Sequence, residues 1–329
     1  MLNVGIIGCG LIGRKRALSL DHNQIIAVSD VNVEVGKNMA RDFNADYHQD
    51  YKKLISREDI DVVFVATTHN HLTKIGIDSL EFNKHILIEK PAGISVSELK
   101  NFKALSKKNP DLKIHIGFNH RFHPALMKAK NIVDSGELGK LMFIRGRYGH
   151  GGRIGYESEW RANLNISGGG ELIDQGSHLI DLSRWFLGGF KKIHGTAKTY
   201  FWNMDVEDNG FMILENSLQQ TAFLHASCTE WKNLFSYEIY GECGKLHING
   251  LGGSYGKETL TYYKMLPEMG PPKEINWEFD EDTSWKDEIL NFFKAIELNL
   301  EASSSIDDAI ANLEIIQNIY RNSDYDYNA

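Results

Sequence analysis

Apolar positions along this chain fall into two rhythms that change near residue 120. In the first third, compact β-branched runs at Leu2–Ile7, Gln24–Ser29, Val62–Ala66, His85–Ile88 and Lys113–Phe118 have the length of buried strands. Between them, apolar residues recur at helical spacing over Val35–Phe43, Leu72–Phe82 and Val96–Lys107. Ser95-Val-Ser-Glu98 supplies a capping box for the third helix. Strands alternating with amphipathic helices predict βαβ units and a parallel sheet. Beyond residue 120 the pattern predicts a helix over Pro124–Asp134, a strand over Leu141–Tyr148, a loop rich in Gly and Arg, and a helix over Glu171–Phe186. From Lys192 to Lys264, β-rich runs are joined by turn signals at Gly241-Glu-Cys-Gly244 and Asn249-Gly250, which predicts an antiparallel sheet. Two helices close the chain, about Trp285–Leu300 and Ile306–Tyr320. The stripe Ala309, Leu313, Ile316 and Tyr320 on the last one is a packing face.

A length of 329 residues suits two domains better than one core. The change of rhythm divides them into 1–120, a Rossmann-type α/β domain, and 121–329, an α+β domain whose last helices can return to the first. Composition adds exclusions. Hydrophobic residues make up 42% and charged residues 24% of the chain, as in ordinary globular proteins. A formal charge of −8 argues against nucleic acid as a partner. Cys9, Cys228 and Cys243 are scattered and form no CxxC pair, which reads as reduced thiols in a cytoplasm. The opening residues enter a strand pattern without a basic leader, and no apolar run approaches the roughly 20 residues that span a bilayer. A soluble cytoplasmic protein with no membrane partner is expected.

Gly8-Cys-Gly10-Leu11-Ile12-Gly13 lies between the first strand and a helix beginning near Leu11. Gly8 permits the tight turn, Gly10 lets a pyrophosphate approach the backbone, and Gly13 lets helix and strand pack closely. The N–H groups at the helix start then hold phosphate. Asp30 ends the second strand 17 residues beyond Gly13, close to the spacing of a ribose-binding acid. A carboxylate there accepts from both ribose hydroxyls and repels a 2′-phosphate, so the expected cofactor is NAD.

Four segments together carry a resemblance: Gly8–Gly13, Glu89-Lys90-Pro91, Asn119-His-Arg-Phe-His-Pro124, and Gly168-Gly-Gly-Glu-Leu-Ile-Asp-Gln-Gly-Ser-His178. The chain resembles the Gfo/Idh/MocA oxidoreductases over nearly its whole length. That family includes inositol dehydrogenases, glucose–fructose oxidoreductase and sugar-nucleotide dehydrogenases. The resemblance implies a Rossmann domain followed by an α+β domain with a large open antiparallel sheet, through which such enzymes commonly form dimers or tetramers. It also implies that Lys90, Asp174 and His178 are catalytic, and that Thr67, Asn70, His71, Glu89 and Lys90 lie on the cofactor side. Thr68 stands where the family usually has Pro.

Oxidising a secondary alcohol needs a base for the hydroxyl proton and stabilisation of the developing alkoxide. Asp174 and His178 are four apart and would share a helix face. An imidazole has a pKa suited to proton transfer, so His178 is the expected acid–base group. Asp174 would hold its ring or contact another substrate hydroxyl, and Lys90 would hydrogen-bond the reacting oxygen. Arg145-Gly-Arg-Tyr-Gly-His-Gly-Gly-Arg153, followed by Trp160-Arg161, is the segment suited to a phosphorylated or nucleotide-linked sugar. The same arginines could instead pair with Glu157 and Glu159. Arg121, beside Asn119 in the shared motif, is open to either reading. The histidine pairs His69/His71 and His120/His123 lack a matched ligand set, so no metal is expected. Aromatic residues in 201–263 read as sheet core and interface. The predicted activity is oxidation of a sugar ring hydroxyl, with C3 of a nucleotide sugar as its finer form. Ketosugar reduction, glycoside hydrolysis through transient oxidation, and a cofactor-sensing regulator are the rivals.

Overall fold

The computed structural model describes residues 2–21 and 24–323. The chain forms two compact units, Met1–Phe118 with Trp285–Ile310, and Asn119–Ser284 with Ala311–Ala329.

The first unit is built on six strands: β1 (Val4–Ile7), β2 (Ile25–Ser29), β3 (Asp46–His48), β4 (Val62–Val65), β5 (His85–Glu89) and β6 (Ile114–Gly117). All neighbours pair parallel in the order β3-β2-β1-β4-β5-β6. β1 and β4 are buried throughout, which explains why they read as unbroken apolar runs and not as alternations. The connecting helices are α1 (Leu11–Leu18), α2 (Val33–Phe43), α3 (Tyr51–Ile55), α4 (His69–Glu81) and α5 (Val96–Ser106). Asn32 caps α2 through its side chain, and Ser95 with Glu98 forms the predicted capping box of α5. β3 and α3 escape a pattern search because Asp46-Tyr-His is short and polar and α3 has a single turn.

The second unit holds α6 (Pro124–Asp134), α7 (Leu164–Ser167), α8 (Glu171–Asp174) and α9 (Gly176–Leu187). Its strands are β7 (Leu141–Gly149), β8 (Phe190–Lys198), β9 (Asn209–Asn216), β10 (Thr221–Ser227), β11 (Leu234–Gly241), β12 (Gly244–Asn249), β13 (Glu258–Lys264) and β14 (Lys273–Phe279). They form one sheet in the order β14-β13-β12-β11-β7-β10-β9-β8. Every pair is antiparallel except β7 with β10, where Phe143 lies opposite Thr221 in parallel register. The large antiparallel sheet expected from the sequence is present, with that one parallel pair within it. β14 was not anticipated, because its polar alternation Lys-Glu-Ile-Asn-Trp-Glu-Phe suits a half-exposed edge. The Gly-Glu-Cys-Gly signal is the hairpin between β11 and β12.

Two helices end the chain, α10 (Ser284–Glu297) and α11 (Ile306–Arg321). Ile289, Phe292 and Phe293 of α10 belong to the first unit's core, with Val4, Ile6, Val28 and Phe64. Among the described residues, no helix is long and apolar enough to cross a membrane.

Candidate functional site

The turn from β1 into α1 has the form its glycines predict. Gly8 adopts φ +94°, a left-handed value that favours glycine. A Cβ on Gly13 would fall 1.8 Å from the Gly8 carbonyl oxygen, so helix and strand touch there. At Gly10 a Cβ would meet nothing within 4 Å, which leaves open space over the backbone where a diphosphate would lie. The first turn of α1, with Leu11, Ile12 and Gly13, carries no acidic residue to repel an anion. Asp30 follows β2. One carboxylate oxygen accepts from Cys9 N and the other from Asn32 N, both at 2.8 Å. The residues therefore fit an adenosine dinucleotide. Burial and the Asp30 charge push the Cys9 thiol up to about 12.

Thr68 precedes α4 with φ −66° and ψ 154°. A proline could adopt the φ that Thr68 holds. Thr68 Oγ1 donates to Asn70 Oδ1 (2.9 Å), Thr67 Oγ1 donates to the Thr68 carbonyl (3.3 Å), and His71 N bonds Thr68 O. Lys90 follows β5 directly, and the Lys90–Pro91 peptide is cis. Thr73 Oγ1 donates to Ala92 O (2.7 Å), fastening α4 to this turn.

Glu89, expected on the cofactor side, has its carboxylate in a buried knot instead. Arg16 Nε donates to Glu89 Oε1 (2.7 Å), and Arg16 Nη1 binds Glu288 of α10. His115 Nε2 bonds Glu288 Oε1 at 3.1 Å. Burial raises the Glu89 pKa despite Arg16. For Glu288, burial is outweighed by the charges and hydrogen bonds of Arg16 and His115, and its pKa falls.

In the second unit, the glycine run ahead of α8 is a packing requirement. A Cβ on Gly170 would stand 1.9 Å from Glu207 O, and one on Gly169 2.1 Å from the Tyr320 hydroxyl. The fully buried Glu207 accepts from Gly170 N and Leu172 N, both at 2.9 Å, and from the Tyr320 hydroxyl at 2.7 Å. It caps α8 and sets where Glu171 and Asp174 stand. The expected single helix over Glu171–Phe186 is interrupted at Gln175. There His178 N bonds Gln175 O (3.1 Å), and the Asp174 carbonyl accepts the Ser177 hydroxyl instead (2.9 Å). Asp174 and His178 therefore sit on successive short helices. Arg161 Nε donates to Asp174 Oδ2 (3.0 Å) while its guanidinium lies over the Trp160 ring at 4.4 Å.

The His178 ring stacks on His120, with centroids 3.6 Å apart and planes 20° apart. His120 also meets Tyr148 at 5.2 Å and His123 edge-on at 5.4 Å. Its Nδ1 donates to Asn119 Oδ1 (3.2 Å), and Asn119 Nδ2 donates to Ser284 Oγ (3.2 Å). Beside this stack, Glu171 accepts the Tyr156 hydroxyl at 2.6 Å and approaches His150 Nε2 at 3.4 Å. Burial opposes charge on His150, but the hydrogen bond and charge of Glu171 outweigh it and raise its pKa. This assembly can accept or release a proton in a largely dry setting.

The expected arginines are engaged within the chain. Arg121 is buried and clamps Asp181 through Nε (2.8 Å) and Nη2 (2.5 Å). The pairing makes it a tie between the Asn119 segment and α9. Arg153 grips Glu159 through two bonds of 2.6 and 2.5 Å. Tyr148, Tyr156 and Glu171 were not singled out from sequence, and His120 was weighed only as a metal ligand. His120 and Glu171 each carried a signal, since each lies inside one of the shared motifs.

Residues 2–118 match a family model described as an oxidoreductase family with an NAD-binding Rossmann fold. Residues 126–247 match the GFO/IDH/MocA C-terminal domain. A levoglucosan dehydrogenase of Pseudarthrobacter phenanthrenivorans is 30% identical over 64% of the chain and 57% of its own length. An inositol 2-dehydrogenase of Salmonella typhimurium is 27% identical over 61% and 58%. The chain thus spans less than two thirds of these two relatives. An uncharacterized oxidoreductase of Bacillus subtilis is 25% identical over 93% of the chain and 89% of its own length. Among solved structures, levoglucosan dehydrogenase with NADH and L-sorbose superposes with TM-score 0.86 at 22% identity, covering 98% of both chains. A 3-ketoreductase from Actinomadura kijaniata in complex with TDP-benzene and NADP does so with TM-score 0.84 at 19% identity, also over 98% of both. At these identities the likeness is one of fold.

Proposed function

This chain belongs to the GFO/IDH/MocA oxidoreductase family, and on that footing we propose that it oxidises a ring hydroxyl of a sugar or polyol, using NAD. The observation that carries the reading is the cradle at Gly8, Gly10 and Gly13, closed by the Asp30 carboxylate. Asp30 favours NAD because a 2′-phosphate would meet its charge. NAD held by the Gly8–Gly13 turn and Asp30 would supply the acceptor for the carbinol hydride. The hydroxyl proton goes to a ring nitrogen of His178, leaving a ketone. Lys90 Nζ hydrogen-bonds the reacting oxygen while its negative charge develops. Asp174, held by Arg161, takes a neighbouring hydroxyl and fixes the ring's orientation.

A phosphorylated or nucleotide-linked substrate, oxidised at C3, is the finer reading. Its support is Arg153, exposed in a glycine-rich loop, and the TDP ligand of one relative in fold. The pairing of Arg153 with Glu159 weighs against it, since a phosphate would have to displace a two-bond partner. We also propose a homodimer or homotetramer through the outer face of the large sheet, where Ile213 and Phe223 are exposed. Light scattering should show more than one copy in the native protein and a smaller species for Phe223→Lys; a monomeric native protein refutes this.

NADH formation over free sugars, inositols, sugar phosphates and nucleotide sugars tests the main reading. Lys90→Ala and His178→Ala should each lower turnover roughly a hundredfold or more. Near-normal rates in either variant would remove that residue from the chemistry. A response confined to nucleotide sugars would support the phosphate reading, and equal rates on free and phosphorylated sugars would end it. Glycoside cleavage without net NADH would indicate the recycling hydrolase.

A further inference from the structure

Aromatic side chains stand together on two loops of the second unit, outside its strands. Tyr200, Phe201 and Trp231 are 68%, 60% and 63% exposed. The Phe201 ring meets Trp231 edge-on at 4.7 Å and Trp202 at 5.3 Å. Single exposed aromatics are ordinary, but a contiguous cluster on fixed backbone marks a binding surface.

The backbone here is fixed by a buried carboxylate. Asp208 accepts the N–H groups of Tyr200 (2.9 Å), Phe201 (2.7 Å) and Trp202 (3.1 Å). It also accepts from Asn209 Nδ2 (2.9 Å), and that amide donates in turn to Thr229 Oγ1 (2.9 Å) on the loop that carries Trp231. One acid and its neighbour hold both loops. Trp231 adopts φ +54°, a left-handed conformation that is costly for a bulky residue and that Asn or Gly would occupy with less strain. The turn spends that strain on pointing an indole outward.

The cluster continues into the proton-transfer assembly. Trp202 Nε1 donates to Cys228 O (3.0 Å), and its ring fills the space a side chain on Gly152 would need, 2.2 Å from that Cβ position. The same ring meets Tyr156 at 5.5 Å, and the Tyr156 hydroxyl bonds Glu171, one turn ahead of Asp174.

We propose that Phe201 and Trp231 form an outer platform for a second sugar ring, glycosidically joined to the one oxidised. The preferred substrates are then disaccharides or other glycosides. The inference rests on the sugar-oxidoreductase reading. A pyranose ring presents C–H groups on its faces and hydroxyls around its rim. A flat indole takes the face and leaves the rim to water. Aromatic side chains held by packed backbone lose little entropy on binding. No ionic group is required of the ligand, and Arg153, whose guanidinium lies over Tyr156, is already paired with Glu159.

The test compares initial rates with NAD on glucose, galactose, cellobiose, maltose and lactose, alongside tryptophan fluorescence of the protein titrated with the same sugars without NAD. At least one disaccharide should exceed its parent monosaccharide in kcat/KM by roughly tenfold. Trp231→Ala should abolish most of that ratio, and Trp231→Phe should retain it. A ratio unchanged in Trp231→Ala overturns the platform. So does a fall in oligomer size with the ratio unchanged, because the surface is then a contact between copies. If none of these five sugars is oxidised, the rates do not bear on the platform and fluorescence alone decides. A disaccharide-dependent shift lost in Trp231→Ala upholds the platform, and no shift overturns it.

Discussion

Asp30 shows how much one side chain can settle when its partners are local. Its two oxygens are oriented by the N–H groups of Cys9 and Asn32, so the carboxylate is held at the end of β2 before any ligand arrives. Asp30→Ala should shift the NAD-to-NADP preference toward NADP by about tenfold or more, the size of a charge repulsion relieved with a hydrogen bond lost. Dissociation constants for both cofactors measure it, and an unchanged ratio would remove Asp30 from the discrimination. Gly8, Gly10, Gly13 and Asp30 were legible because turn geometry is written in neighbouring residues. The arginines were not. Arg121 finds its partner 60 positions away in Asp181, and nothing in the local sequence announces that pairing. His120 lies in a quoted motif, yet its stacking on His178 depends on two segments 58 residues apart.

At the scale of elements, α1 is coupled to α10 through Arg16 and Glu288. Replacing Arg16 by Ala would leave two carboxylates in a dry core, and should cost about 3–5 kcal/mol in urea unfolding. Glu288 has a folded pKa below its ordinary carboxylate value of 4.5. Its contribution is therefore present above that pH and is lost as pH falls through the depressed value. Glu288→Gln should lower stability at neutral pH and flatten its decline in acid; an acid limb identical to the native protein's would refute the assignment. The α/β rhythm predicted α2, α4 and α5 to within a few residues at most ends. It predicted α8 and α9 as one helix, since the break at Gln175 comes from Ser177 taking the Asp174 carbonyl, a competition that apolar periodicity does not register.

On the scale of the whole chain, the change of rhythm near residue 120 marked a real change of architecture, from a parallel six-stranded sheet to a mixed eight-stranded one. The parallel pair β7–β10 was hidden, because strand polarity follows from the connection and not from the residues in the strands. The discontinuity of the first unit has a consequence during synthesis. Ile289, Phe292 and Phe293 complete its core, and Glu288 neutralises its buried guanidinium. All four leave the ribosome only after Asn119–Ser284. A chain ending at Phe118 should lack the fixed near-ultraviolet circular dichroism of a packed core, and cooperative unfolding of that fragment would refute this. Until α10 emerges, the nascent sheet carries an unfinished apolar face, and Arg16 has Glu89 as its carboxylate partner without Glu288.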